Sequence, residues 1–144
     1  MNTLFRSIII LLLINSCKSK SYNCEDQIIQ YGTDEYTILD SIVGDIKNEE
    51  LDKNFAKAEK LSKKAIEKYP CEISLYANLG NIYYQSSQNK KAEEYYRFAL
   101  EINQDYPLIY LIHYNLSNVL LEEGKEKEAK YWREKGESID PRYK

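Results

Sequence analysis

Gly80 and Ala92 constrain this chain more tightly than any other two residues. They lie in the stretch 73–107, ISLYANLGNIYYQSSQNKKAEEYYRFALEINQDYP, where apolar and small residues recur at helical spacing. Tyr76, Leu79, Gly80 and Tyr83 stand at i, i+3, i+4 and i+7, one face of a first helix. Ala92, Tyr95, Tyr96 and Ala99 repeat that pattern on a second. Glycine inside a helix costs about 1 kcal/mol relative to alanine, so its presence implies a packing reason. Close antiparallel approach supplies one: Gly80 and Ala92 let two backbones meet while the tyrosines fill the flanking space. Asn89 is the expected N-cap of the second helix, its side chain accepting from first-turn amides.

Leu79-Gly80, Tyr83, Ala92, Tyr96 and Ala99 resemble the tetratricopeptide repeat, a helix-turn-helix unit of 34 residues. The pattern recurs. Counting back 34 positions reaches Leu39, and the unit then carries Ala58, Ala65 and Tyr69-Pro70 at matching places. Counting forward, a third unit starting at Tyr110 supplies Leu116, Ser117 in the glycine position, Leu120, Ala129, Gly136 and Pro141. Departures fall in the outer units: Asp45-Ile46 replace Leu-Gly, His113 takes a large-residue position, and Arg133 an aromatic one beside Trp132. The resemblance implies an all-α fold of about three repeats in a short right-handed α-solenoid over residues 36–144, with units near 39–72, 73–109 and 110–144. Repeat arrays require polar end faces. The charged residues from Lys125 to Glu137 provide one for the last helix, a second copy or a partner being the alternative cover.

The first 16 residues stand outside this pattern. Arg6 precedes an apolar run, Ile8 to Ile14, followed by Asn15-Ser16-Cys17, the layout of a secretory signal. The run is shorter than the ~20 residues of a membrane span. Ile14-Asn15-Ser16-Cys17 resembles a bacterial lipobox, which implies lipidation of Cys17, by diacylglycerol and an amide-linked chain, and stable anchoring to a membrane, the outer membrane first. An ordinary cleaved signal or an uncleaved anchor are the alternatives. Residues 17–35 then read as a polar tether. With Cys17 lipidated, Cys24 and Cys71 remain as an even pair in an oxidising compartment, and a disulfide between them is expected, two free thiols being the alternative.

The chain carries 20 basic and 23 acidic side chains, and removing 1–16 takes away only Arg6. A mildly acidic chain without a basic stripe argues against a dedicated nucleic-acid binder. No chemistry assembles either. His113 is the lone histidine and lies in an apolar run, Cys24 and Cys71 lack metal or redox spacing, and the five glycines form no phosphate loop. Paired carboxylates lie on charged helix faces, away from the apolar pocket a general acid requires. Asp40-Ser41-Ile42 resembles an O-glycosylation acceptor of some Bacteroidetes. The sequence points to a non-enzyme without cofactor or metal.

Binding is the remaining function class. In the resembling family the first helices of the units line a concave groove, and its facing positions map here onto Val43 and Lys47, then Ala77, Asn81, Tyr84 and Gln85, then Tyr114, Asn118, Leu121 and Glu122. Asn81 and Asn118 recur at one position in consecutive units, each offering donor and acceptor to an extended peptide. Tyr84 and Tyr114, outside the packing pattern, are the expected interface anchors. The resemblance implies a membrane-anchored scaffold that holds a protein or peptide, in envelope, pilus or secretion-channel assembly. An aromatic groove stacking on sugars, as in a surface glycan-binding lipoprotein, is the alternative.

Overall fold

The computed structural model describes residue 24, residues 29–30, 32–102 and 105–143. The expected signal and Cys17 lie outside the described residues. The described residues form six helices in order: α1 (Asp34–Leu51), α2 (Phe55–Lys68), α3 (Ile73–Gln85), α4 (Asn89–Ile102), α5 (Ile109–Glu122) and α6 (Glu126–Ile139), then a 3-10 turn, Pro141–Tyr143. Among the described residues there is no strand, and no helix is long and apolar enough to cross a membrane. Each helix packs against the next, and α3 also touches α1 and α5, so that α1, α3 and α5 stand side by side. This is the stacked hairpin order of a short helical-repeat solenoid.

Local chemistry sets the ends. The Thr33 side chain accepts the Tyr36 amide to cap α1, with Asp34 and Glu35 favourable in the first turn. Glu72 caps α3 through the Ser74 amide. Asn89 departs from expectation. It is the first residue of α4 rather than its cap, and the Gln88 carbonyl accepts the Lys91 and Ala92 amides. Its side-chain amide instead donates to Glu122 Oε2 of the next pair, at 2.9 Å. Each hairpin bends through one left-handed residue: Lys53 (φ 58°), Ser87 (φ 59°) and Gly124 (φ 74°). In each, the following amide returns to a carbonyl five residues back, at 2.8 Å. One turn geometry thus serves three different residue types.

The core runs between the pairs. Helix α3, in the middle, buries residues on nearly every side, from Ile73 and Leu75 to Ile82 and Tyr83. Its Gly80 meets the Tyr96 ring of α4 so closely that a Cβ there would lie 2.6 Å from Cε1. That contact is the packing reason the glycine implied. In the last pair the close approach moves to Gly136, where a Cβ would lie 2.9 Å from the Tyr114 ring. The Tyr114 hydroxyl donates to Asp140, whose fully buried carboxylate also takes the Arg142 backbone amide and guanidinium. Arg142 and Tyr114 hold the Asp140 carboxyl well below the usual carboxylate range. The final turn thereby folds against α6.

At the opposite end, Cys24 and Cys71 are joined, Sγ to Sγ at 2.06 Å and Cα to Cα at 5.3 Å. The bond ties the segment before α1 to the turn between α2 and α3. The first helical pair lies entirely inside the 47-residue loop it closes.

Candidate functional site

The three side-by-side helices enclose an elongated cavity of about 570 Å³. Its floor is apolar: Leu39 and Val43 from α1, Ile73 and Ala77 from α3, and Leu111 and Ile112 from α5. Leu111 and Leu108 are more than two-fifths exposed, large apolar groups left facing solvent at the cavity rim. The loops before the helices close one end, bringing in Ile29, Cys71, Tyr106 and Pro107. Ile29 packs against the core and is held near this end by the neighbouring disulfide.

An amide row crosses the floor. The Asn115 side chain donates to Asn81 Oδ1 at 3.0 Å, and the Tyr96 hydroxyl donates to the same oxygen at 2.6 Å. Those bonds fix both carboxamides and leave Asn81 Nδ2 and Asn115 Oδ1 as an adjacent donor and acceptor. Asn78 lies beside them on the wall, only 8% exposed and with no side-chain partner among the described residues. A peptide group carries one acceptor and one donor and complements such a pair. Amide groups that lack protein partners favour a ligand that satisfies them.

Of the groove residues expected from the sequence, only Asn81 of the two recurring amides, with Val43, Lys47 and Ala77, lines the cavity. The others are placed elsewhere: Leu121 is exposed to solvent, and the polar ones are taken by local partners. Tyr84 donates to Glu122 Oε1 at 2.6 Å, and Gln85 donates to Glu50, polar ties between successive first helices beyond the cavity. The tie to Glu122 raises the Tyr84 hydroxyl pKa. Tyr114 lies over Gly136 and bonds Asp140, and Asn118 accepts from Arg133 at 2.9 Å. Tyr114 and Asn118 thus lie at the seam between α5 and α6 and do not line the cavity. On α5 the cavity takes Leu111, Ile112 and Asn115 instead. A signal for this was present, because Asn78 and Asn115 also recur at one position, three residues before Asn81 and Asn118.

Nothing in the described residues assembles a catalytic set. His113 is buried against Trp132, ring centroids 5.4 Å apart, and neither ring nitrogen has a hydrogen-bond partner. Burial, with Lys135 nearby, pushes its pKa down to about 4. No group of three metal-ligating side chains occurs among the described residues. On the convex side Glu93 is drawn partly out of water, yet hydrogen bonds from Lys125 and Arg97 hold it down at about 2.

Helical hairpins stacked around an inner cavity define an α-helical repeat scaffold. Residues 73–106 match the tetratricopeptide repeat family, so the second helical pair carries a repeat of that family. The fold is similar to the N-terminal domain of stress-induced protein-1 from C. elegans, with a TM-score of 0.63 and 23% identity over 73% of this chain and 90% of that one. Among curated proteins none matches the chain. Repeats of this kind hold protein or peptide partners.

Proposed function

We propose that the cavity across α1, α3 and α5 binds an extended segment of a partner protein, and that the chain is a lipid-anchored, non-catalytic scaffold of the bacterial cell envelope. The observation that carries the reading is Asn78, nine-tenths buried and unpartnered on the wall of an apolar cavity, beside the oriented Asn81–Asn115 pair. Apolar floor and amide row together suit a peptide, whose side chains take the first and whose backbone takes the second. The two tyrosines on which sugar stacking rested, Tyr84 and Tyr114, are tied to Glu122 and Asp140, which favours the peptide. The Asp140–Arg142 turn covers part of the last pair, which favours an occupant of the cavity over a second copy at that end. The anchor rests on Cys17 and its lipobox-like context.

A photo-crosslinking residue placed at Leu111 in the producing cell tests the groove. A discrete adduct at 111, absent from a probe at Lys130 and abolished by Ala77→Trp, is the expected result. Equal adducts at both positions would reject the cavity as the binding surface. Cys17→Ser should separately end fatty-acid labelling, and labelling that survives it rejects the anchor.

A further inference from the structure

The closed end of the cavity has a chemistry unlike the rest. Asp40, in the second turn of α1, and Glu72, at the cap of α3, both line it. Asp40 has no hydrogen-bond or ion-pair partner among the described residues. Glu72 gives one oxygen to the Ser74 amide and keeps the other. Two phenols, Tyr36 and Tyr106, line the same end. Tyr106 is largely buried, and burial first, then Glu72 and Tyr36, raise its hydroxyl pKa. Among the described lining residues Lys47 is the only cation, and it lies seven residues from Asp40 along α1, roughly 10 Å away. Carboxylates beside aromatic faces, with no cation to neutralise them, attract a positive group: the acids by charge, the rings by their quadrupoles.

We propose that the groove selects a peptide bearing a lysine or arginine side chain, which enters the closed end between Asp40 and Glu72 while the following residues lie on the apolar floor. Asn78, buried and unpartnered in the same cavity, supplies the independent sign of a ligand there, and reads the backbone leading away from the cation. Ile29, seated by the disulfide, forms the wall against which the charged group stops. This selectivity rests on the groove reading above and adds the charge of the occupant.

Selection from a random heptapeptide library, flanked by constant Gly-Ser linkers and displayed against the oxidised mature protein, tests both. Binders are sorted by whether Ala77→Trp, which fills the groove, abolishes their binding. The expected outcome is a groove-dependent set with Lys or Arg at one fixed position. Norleucine there should weaken binding at least tenfold, and Asp40→Asn should shrink that discrimination to less than threefold. Asp40 is exposed on α1, so this variant leaves the core untouched; Glu72→Gln, which keeps a capping oxygen, should act in the same direction. Groove-dependent binders with no basic residue, or with an acid at the fixed position, overturn the proposal and leave the groove standing. Binders that all ignore Ala77→Trp overturn the groove, and this proposal falls with it.

Discussion

The first and second helical pairs fill the same space with opposite choices. In the second, a small residue on the leading helix, Gly80, faces a large one on the trailing helix, Tyr96. Thirty-four positions earlier stand Ile46 on α1 and Ser62 on α2, both fully buried, so the large residue leads and the small one follows. The volume is conserved across the pair rather than at either site, as close-packed interiors allow. The second pair also carries a hydrogen bond in its own seam, where the Tyr96 hydroxyl reaches Asn81, and Tyr83 ties it to Glu59 of the pair before. The first buries only Leu39 and Ile46 from its leading helix and is fastened from outside by the disulfide. One pair is held by packing, the other by a staple.

Cutting the staple should produce the largest effect. A closed loop of 47 residues is worth up to about 4 kcal/mol in the chain-entropy account. Cys24→Ser with Cys71→Ser should therefore lower the unfolding free energy, and hydrogen exchange should accelerate in α1 and α2 before α3 and α4. Uniform acceleration would break the distinction between the pairs. Next comes the third pair, where His113 stands at the position of Tyr76 and Ile42. The Tyr76 hydroxyl donates to the Pro70 carbonyl at 2.8 Å, whereas His113 has no partner. Its folded pKa of about 4 lies below the ordinary 6.5, so between these values the unfolded chain takes up a proton that the folded one refuses. Stability should be full above pH ~6.5 and fall towards pH ~4, by up to about 3 kcal/mol. Urea titrations of His113→Leu should lose that slope.

Gly80→Ala should lower stability by about 2 kcal/mol despite the better helix former, because the new Cβ overlaps a ring with nowhere to move. Gly80→Ile combined with Tyr96→Ser, which imports the arrangement of the first pair, should recover part of what Gly80→Ile alone loses. No recovery would refute the idea of a shared volume. Smaller effects have the opposite sign. Gly44 meets nothing within 4 Å where a Cβ would go, so Gly44→Ala should stabilise by up to about 1 kcal/mol. Lys53→Gly and Ser87→Gly relieve left-handed strain and should each add about 0.5–1 kcal/mol by thermal melting.

Fold was readable from sequence because glycine and alanine at fixed helical offsets admit few alternatives. Gly80 predicted its own contact, and Tyr83 and Tyr96 are buried as the periodicity required. The first pair looked degenerate at Asp45-Ile46 because its compensation, Ser62, lies on another helix, and a pattern read along one helix misses it. The site was harder for the same reason. Position within a repeat says which residues lie near the inner surface, but hydrogen bonding decides which of them stay available. Tyr84 and Gln85 are taken by Glu122 and Glu50, and Tyr114 and Asn118 by residues of α6 and the final turn. Asn78 and Asn115 shared a position as visibly as Asn81 and Asn118, and nothing local to either set distinguishes them.

The Cys24–Cys71 bond also decides where a mechanical load enters. Tension applied at the N-terminus would otherwise pass through α1 and α2 in turn, peeling the first pair from its end. With the bond intact, force crosses from Cys24 to Cys71 and reaches the start of α3, leaving everything between them slack. The first hairpin becomes a side loop off the load path, and the cavity floor on α3 and α5 takes the strain as one block. Pulled by its N-terminus in an optical trap, the oxidised chain should yield in a single large step, and the reduced chain should yield first at α1 under a smaller force.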